Sequence, residues 1–270
     1  MPLAEGRWAW WNQYGSVPLD TCVRRAREAR LGGVIVKHGY PEARDAFARA
    51  GVAWAVERYA YPDQPEAEAR RLADEIARGA RFAVIDAEAE WESASGGPEP
   101  MQRLIAELRR LQPNTELYGC VDTRGGRTAL PYQRVLAERV AGWMPMVYPK
   151  AFNQSVRAAF ASALDATTFS HPVFPAIQTY NQVGPALVAE QIAEVRRRGL
   201  AGYQAYTIAH ATDEEWAAIA RDAEEDKMEA IDALRRLHAV AGLFLQAAAF
   251  ALRGEPLPDD LRGQIRWLLG

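Results

Sequence analysis

The sequence is poor in the residues that build metal centres and disulfide scaffolds. It has two cysteines among 270 residues, Cys22 and Cys120, which lie far apart in the chain without the short spacing of a zinc site. Its four histidines are scattered, and no H-x-H or H-E-x-x-H motif occurs. We therefore expect no metal ion, no cofactor and a chain that works in a reducing compartment.

An excess of charge of either sign is also missing. Lys and Arg together number 32 against 35 for Asp and Glu, and the net charge is −3, so a nucleic-acid partner is not predicted. No run of eighteen apolar residues occurs, and the nearest approach, Ala239–Leu252, is too short for a membrane span. The first seven residues lack the pattern of a secretory signal. The expected location is the cytoplasm, or release without a conventional signal peptide.

Two common catalytic motifs are absent. The residues that follow the first apolar strand, Trp10–Gly15, contain no G-x-G-x-x-G loop, which disfavours an open dinucleotide-binding sheet. No G-x-S-x-G motif occurs, so a Ser/His/Asp triad is not predicted either.

What the sequence does contain is a unit that recurs eight times, a short apolar strand followed by an amphipathic helix. The predicted strands are Arg7–Tyr14, Gly33–Gly39, Val52–Tyr59, Arg81–Glu88, Glu116–Val121, Trp143–Tyr148, Val173–Tyr180 and Ala201–Ile208. The predicted helices are Thr21–Arg30, Glu42–Ala50, Pro65–Arg78, Pro100–Leu111, Tyr132–Ala141, Gln154–Ala163, Gly184–Arg198 and Asp213–Asp222. Alternation of this kind predicts parallel strands with crossover helices. Eight units predict an α/β fold, a (β/α)8 TIM barrel over residues 1–222, with a doubly wound open sheet as the alternative.

The remaining residues, 223–270, form a predicted C-terminal helical extension. It has a long helix, Glu224–Arg253, and a shorter one, Asp259–Leu269. On the long helix apolar residues recur at alternating steps of three and four: Ile231, Leu234, His238, Ala241, Leu245, Ala248 and Leu252. Such a face needs a partner, either the barrel itself or a surface for self-association or protein docking through 224–253.

The fourth strand ends in acids at every second position. Asp86, Glu88 and Glu90 follow the apolar run Phe82–Ile85. A strand directs alternate side chains to one face, so the first two acids are expected to share a site. Clustered carboxyl groups resist ionising together, which separates their pKa values and can supply one acid and one carboxylate near neutral pH. Glu90 is interpreted as a loop charge.

The other strand ends supply candidates for substrate binding, because barrel enzymes keep their chemistry at the C-terminal ends of the strands. They are Trp11, Lys37, Glu57, Tyr148, Gln178, Tyr180, Gln204 and Tyr206. Aromatic rings, amides and acids suit a carbohydrate, since rings stack on sugar faces while amides and acids bind hydroxyls. Two alternatives stay open: an ion pair of Glu57 with Lys37 or Arg58, and an aldolase-like role for Lys37.

Two short motifs resemble those of glycoside-hydrolase barrels. Asp86-Ala87-Glu88 resembles the D-x-E of chitinase-like barrels and of the lysozyme-like barrels of the GH25 type, and Met146-Val147-Tyr148 resembles the M-x-Y of chitinase-like enzymes. The resemblance implies that Glu88 is the general acid, that Asp86 orients it or steadies the substrate acetamido group, and that Tyr148 holds that group.

The expected function is therefore cleavage of a polysaccharide, N-acetylated in one version of the hypothesis, by carboxylate acid catalysis. The alternative is a non-catalytic barrel that binds carbohydrate or serves as a structural module, with the C-terminal helix as its docking element.

Overall fold

The computed structural model describes residue 4 and residues 6–92, 97–123, 130–165, 169, 171–252 and 256–269. Eight parallel strands close into a barrel in chain order. They are β1 (Gly6–Trp11), β2 (Gly33–Lys37), β3 (Trp54–Tyr59), β4 (Ala83–Asp86), β5 (Leu117–Val121), β6 (Gly142–Val147), β7 (Ala176–Gln178) and β8 (Gly202–Tyr206). Strand β1 pairs with both β2 and β8, which completes the ring. The (β/α)8 prediction is confirmed, and the open-sheet alternative is wrong.

Helices follow the strands around the ring. They are α1 (Leu19–Glu28), α2 (Pro41–Arg49), α3 (Pro65–Ala77), α4 (Pro98–Leu111), α5 (Pro131–Ala137), α6 (Val156–Phe160), α7 (Pro185–Arg197), α8 (Asp213–Leu252) and α9 (Asp259–Leu269). Prolines at the first turns of α2, α3, α4, α5 and α7 suit positions whose backbone N–H has no partner within the helix. A π-helical turn, Ala161–Asp165, continues α6.

The predicted break between the last barrel helix and the long tail helix is wrong. Helix α8 runs without interruption for 40 residues. No Gly or Pro occurs between Asp213 and Val240, so nothing in the sequence ends the helix near residue 223.

The barrel interior changes character from one end to the other. Near the strand starts it is closed by packed rings of Trp8, Phe82, Tyr118 and Phe174, with neighbouring ring centroids 4.6 to 5.9 Å apart. Apolar side chains such as Ile35 and Met144 fill the middle. The acidic side chains of β3 and β4, Glu57 and Asp86, lie toward the opposite, C-terminal end of the barrel.

Two compact units divide the chain, Met1–Ala220 and Arg221–Gly270. The first contains the barrel, and the predicted division at residue 222 into independent domains stays a prediction. In the second, large apolar side chains are exposed along α8: Leu234, Leu237, Phe244, Leu245 and Leu252. Self-association or docking through 224–253 also stays a prediction. Within the described ranges, no helix is both long enough and apolar enough to cross a bilayer.

Candidate active site

Strands β3 and β4 bring three carboxylic acids to the C-terminal end of the barrel. Glu57 lies in register with Val84, and Tyr59 with Asp86. Because side chains alternate along a strand, Glu57 lies one level deeper in the barrel than Asp86. Glu88 follows β4 by two residues, and its charge shifts the pKa values of both other acids. The predicted pair of Asp86 and Glu88 is therefore a cluster of three.

Hydrogen bonds on both sides fix the backbone at the end of β4. The Asp86 carbonyl accepts from the Ala60 N–H at 3.0 Å, and the Ala87 N–H donates to the Cys120 carbonyl at 3.3 Å. The buried Trp91 donates its indole N–H to the Ala60 carbonyl at 2.7 Å, while its backbone N–H donates to the Glu88 carbonyl at 3.0 Å. These bonds hold the segment that carries Glu88 against β3, so the acid is presented by a fixed turn.

Glu90 leaves the strand pattern. It lies in a 3-10 helix, Ala89–Glu92, because β4 ends at Asp86. The Tyr59 hydroxyl donates a hydrogen bond to its carboxylate. Burial and this bond together raise the pKa of Tyr59, which keeps the phenol protonated as a donor.

Glu57 is buried and faces mixed charges. Burial raises its pKa to about 7, because a carboxylate loses its hydration inside the barrel. Lys37, in register on β2, and Arg58 oppose this rise, while Glu88 adds to it. Glu57 therefore titrates close to neutral pH.

Asp86 is the acid whose surroundings most strongly favour the protonated form. Burial raises its pKa well above the usual range, and the charges of Glu57 and Glu88 raise it further. A hydrogen bond with the Cys120 thiol and the charge of Lys37 act in the opposite direction. Its Oδ1 is buried with no hydrogen-bond partner among the described residues. A buried carboxyl oxygen without a protein partner is usually satisfied by an ordered water.

Lys37 is half-buried, and its ammonium lies 5.5 Å from the centroid of the Tyr14 ring. Its charge lowers the pKa values of both Glu57 and Asp86, and Lys37 lies in register with Glu57. Lys37 is thus the cation of the acidic cluster, which favours a structural or ligand-binding role over an isolated nucleophile.

Aromatic side chains line the opposite side of the barrel end. The ring of Tyr148 lies 5.5 Å from those of Tyr180 and Tyr206, and 5.4 Å from that of Phe152. Burial raises the pKa of Tyr148 and that of Tyr206, so both phenols are neutral donors at physiological pH. Asn12 forms a hydrogen bond with Tyr206 and orients it. The charge of Asp86 contributes to both pKa rises, so the aromatic and acidic groups share one site.

Gln178 has a different task from the predicted one. Its Oε1 accepts from the backbone N–H groups of Lys150 and Ala151 at 3.0 and 3.2 Å, and its Nε2 donates to the Tyr180 carbonyl at 3.3 Å. The side chain is fully buried. It therefore holds the turn after β6, and with it the position of Tyr148, and has no oxygen left for a sugar hydroxyl.

Gln204 lies deep in the barrel. Its side chain is fully buried, and neither amide atom has a hydrogen-bond partner among the described residues. The indole N–H of Trp10, on the neighbouring strand, is also buried without a hydrogen-bond partner among the described residues. Buried polar groups of this kind are usually satisfied by internal water, so Gln204 supports the floor of the site.

The structure does not bring Trp11 to the site. The neighbouring Trp10 points into the barrel, and alternation directs Trp11 outward. There it packs edge-on against Tyr40 at 5.6 Å. The prediction of a sugar platform at Trp11 lacks the geometry that such a platform needs.

Sequence reasoning missed the role of Cys120. The sequence excludes Cys120 from a zinc site and assigns it no other role, yet it lies in register with Asp86 and forms a hydrogen bond with its carboxyl group. The neighbouring acids and burial raise its pKa, so the thiol stays protonated as a donor. The signal was its inward position one residue before the end of a predicted strand.

Among the described residues no group of three His, Cys, Asp or Glu side chains has the arrangement of a metal site.

No protein-family model matches the chain, and no curated protein matches it. Solved structures do resemble it. A chitinase from Chromobacterium violaceum has a TM-score of 0.60 at 13% identity, over 80% of this chain and 98% of that one. A family 18 chitinase from Pseudoalteromonas aurantia has a TM-score of 0.59 at 11% identity, over 81% and 99%. A family 18 chitinase from Cycas revoluta, in complex with (GlcNAc)4, has a TM-score of 0.54 at 11% identity, over 82% and 98%. At these identities the likeness concerns the fold: the chain has the TIM barrel of chitinases and other glycoside hydrolases.

Proposed function

We propose that the protein hydrolyses a glycosidic bond, with Glu88 as general acid and Asp86 as its assisting carboxyl group. The observation that carries the proposal is the cluster of Glu57, Asp86 and Glu88 at the C-terminal end of the barrel. Burial and the charge of Glu88 raise the pKa values of both Glu57 and Asp86, and one Asp86 oxygen has no partner among the described residues. Such a cluster retains a proton near neutral pH, which acid catalysis of glycoside cleavage requires.

The substrate class follows from the groups around the acids. Tyr148 and Tyr206 offer ring faces and neutral hydroxyl donors on the side facing Asp86. The described ends of β1, β6, β7 and β8 carry no Asp or Glu that could act as a nucleophile facing β4. A sugar that supplies its own nucleophile, the carbonyl oxygen of an N-acetyl group at C2, suits this arrangement. Tyr148 would hold that group while Glu88 protonates the leaving oxygen.

The direct test is hydrolysis of N-acetylglucosamine oligosaccharides and of peptidoglycan, followed by the release of reducing ends. Glu88→Gln keeps the shape of the side chain but removes its proton, so turnover should fall at least about 100-fold. Glu42→Gln, an exposed acid on α2, is the matched control and should retain full activity. Full activity of Glu88→Gln, or no product from the wild type, would overturn the proposal.

A non-catalytic carbohydrate-binding barrel is the second candidate. It is favoured by the three neighbouring tyrosine rings, Tyr148, Tyr180 and Tyr206, which could bind a sugar without any acid. Calorimetric binding of the same oligosaccharides without release of reducing ends identifies this function. Tyr180→Ala should then abolish binding, whereas Glu88→Gln should leave it intact.

A further inference from the structure

The third acid of the cluster, Glu57, has no place in the mechanism described above. Its side chain is only 4% exposed, points into the barrel and lies on the strand next to Asp86. Burial of a carboxylate is costly, so a buried acid that faces other acids needs an explanation.

The charge of Glu57 is held in place by cations. Lys37 lies in register with it on β2, and Arg58 follows it on β3. Lys37 opposes the pKa rise of Glu57 more than Arg58 does. With Lys37 in register beside it, Glu57 is the buried acid better placed to carry a negative charge.

Burial raises the pKa of Asp86, and the negative charge of Glu57 raises it further. An ionised Glu57 therefore favours a protonated Asp86. The charged or titratable groups that act on Glu57 or Asp86, or respond to them, are Lys37, Arg58, Tyr59, Glu88, Cys120, Tyr148 and Tyr206.

We propose that Glu57 is a positioning residue: its carboxylate, held by Lys37 beneath the end of β4, keeps one proton on the Asp86–Glu88 pair. This inference rests on the proposed hydrolysis for its role in a reaction. The proton kept on the pair is the one that Glu88 delivers.

The proton balance is simple. Glu88 gives the proton to the glycosidic oxygen, the bond from that oxygen to the anomeric carbon breaks, and its electron pair stays on the leaving oxygen. The acetamido carbonyl oxygen of the substrate forms the new bond to the anomeric carbon. Water then adds at that carbon, the bond from the acetamido oxygen to the carbon breaks with its electron pair returning to the acetamido group, and one proton of the water returns to Glu88. Glu57 takes no part in the proton transfer, and in its ionised form it acts only through its field on the pair.

The first test does not depend on turnover. Carboxyl titration of the ¹³C-labelled protein by NMR measures the last proton lost from the Asp86–Glu88 pair. Glu57→Gln should lower this apparent pKa by about one unit, because a neighbouring negative charge is removed. Glu57→Asp, which keeps the charge, should restore most of the difference, and Glu42→Gln should change nothing. An unchanged titration in Glu57→Gln overturns the proposal whether or not the protein is an enzyme.

The second test measures the role in hydrolysis. In Glu57→Gln the alkaline limb of the pH profile of kcat/KM should move to lower pH by about one unit. Glu57→Asp should return it toward the wild-type position, which a purely structural defect would not do. A shifted titration with an unshifted limb overturns the role in catalysis. A wild type that binds sugar but releases no product overturns the proposed function, while the titration still decides whether Glu57 holds the proton.

Discussion

Glu57 and Glu68 are both buried glutamates beside β3, yet the structure gives them opposite surroundings. Glu57 points into the barrel, toward Asp86, Glu88 and one lysine. Glu68, on α3, is fully buried and accepts hydrogen bonds from two arginines: Arg58 Nη2 at 3.1 Å and Arg71 Nη1 at 2.7 Å. Glu57, on the inner side of β3, thus faces both like and opposite charges, whereas Glu68, on the outer side, is paired with two arginines.

Strand alternation produces the difference. Glu57 and Arg58 are adjacent in sequence, so their side chains leave β3 on opposite faces. The outward arginine reaches α3, where the bidentate geometry of a guanidinium satisfies the Glu68 carboxylate. The inward glutamate enters a space that holds two further acids, Asp86 and Glu88, beside Lys37. Burial of an acid therefore does not by itself mark a site; the competition among its neighbours does.

The largest expected effect is at the paired acid. Glu68→Gln leaves Arg58 and Arg71 without their carboxylate, so the free energy of unfolding should fall by about 3 kcal/mol. Urea denaturation at pH 7 measures this change. Glu66→Gln, which removes an exposed partner of Arg103, is the matched control and should cost much less, because solvent screens the exposed pair. Equal costs for the two variants would remove the contrast between Glu57 and Glu68.

A smaller effect is expected at the cation of the unpaired acid. Lys37→Met removes the charge that opposes the pKa rise of Glu57. At pH 8, where Glu57 is ionised, the protein should lose about 1 kcal/mol of stability, since Lys37 is only half-buried. At pH 4 Glu57 is protonated and the loss should vanish. A loss of equal size at both pH values would show that Lys37 contributes packing rather than charge.

The smallest effect is expected at an ion pair on the outer surface. Arg24 and Glu28 are one helical turn apart on α1, 3.1 Å from each other, with side chains 59% and 51% exposed. Glu28→Gln should change the free energy of unfolding by under about 0.5 kcal/mol in 0.15 M salt. A larger cost would mean that exposed pairs also contribute here, which would weaken the inference from burial.

The fold could be predicted from the sequence because the patterns that specify its strands and helices are local. Apolar strands and amphipathic helices alternate, and glycines or prolines mark most of the boundaries, so all eight strands were located. The uninterrupted α8 was missed because the predicted break had no Gly or Pro behind it. Asp86 and Glu88 were found because their spacing matches the period of a strand.

Other parts of the site depend on geometry that the sequence does not show. The sequence alone does not distinguish Trp10 from Trp11, since the register of β1 decides which of the two side chains enters the barrel. Gln178 was expected to bind a sugar, but its amide is consumed by the turn after β6. The importance of Glu57 for the site depends on its depth in the barrel, since the strand register places it beneath Asp86 and beside Lys37.

The central claim is that the buried Glu57 lowers the stability of the folded protein. Its pKa is about 7 in the folded chain against 4.5 for an unburied glutamate, so the folded state binds the proton more tightly and stability falls as pH rises from about 4.5 to 7. The decisive measurement is the free energy of unfolding of the wild type and Glu57→Gln at pH 4 and pH 8. We expect near equality at pH 4 and, at pH 8, a Glu57→Gln variant more stable by about 3 kcal/mol. A variant that is less stable than the wild type at pH 8 would show that Glu57 is a structural ion-pair residue and would contradict the account.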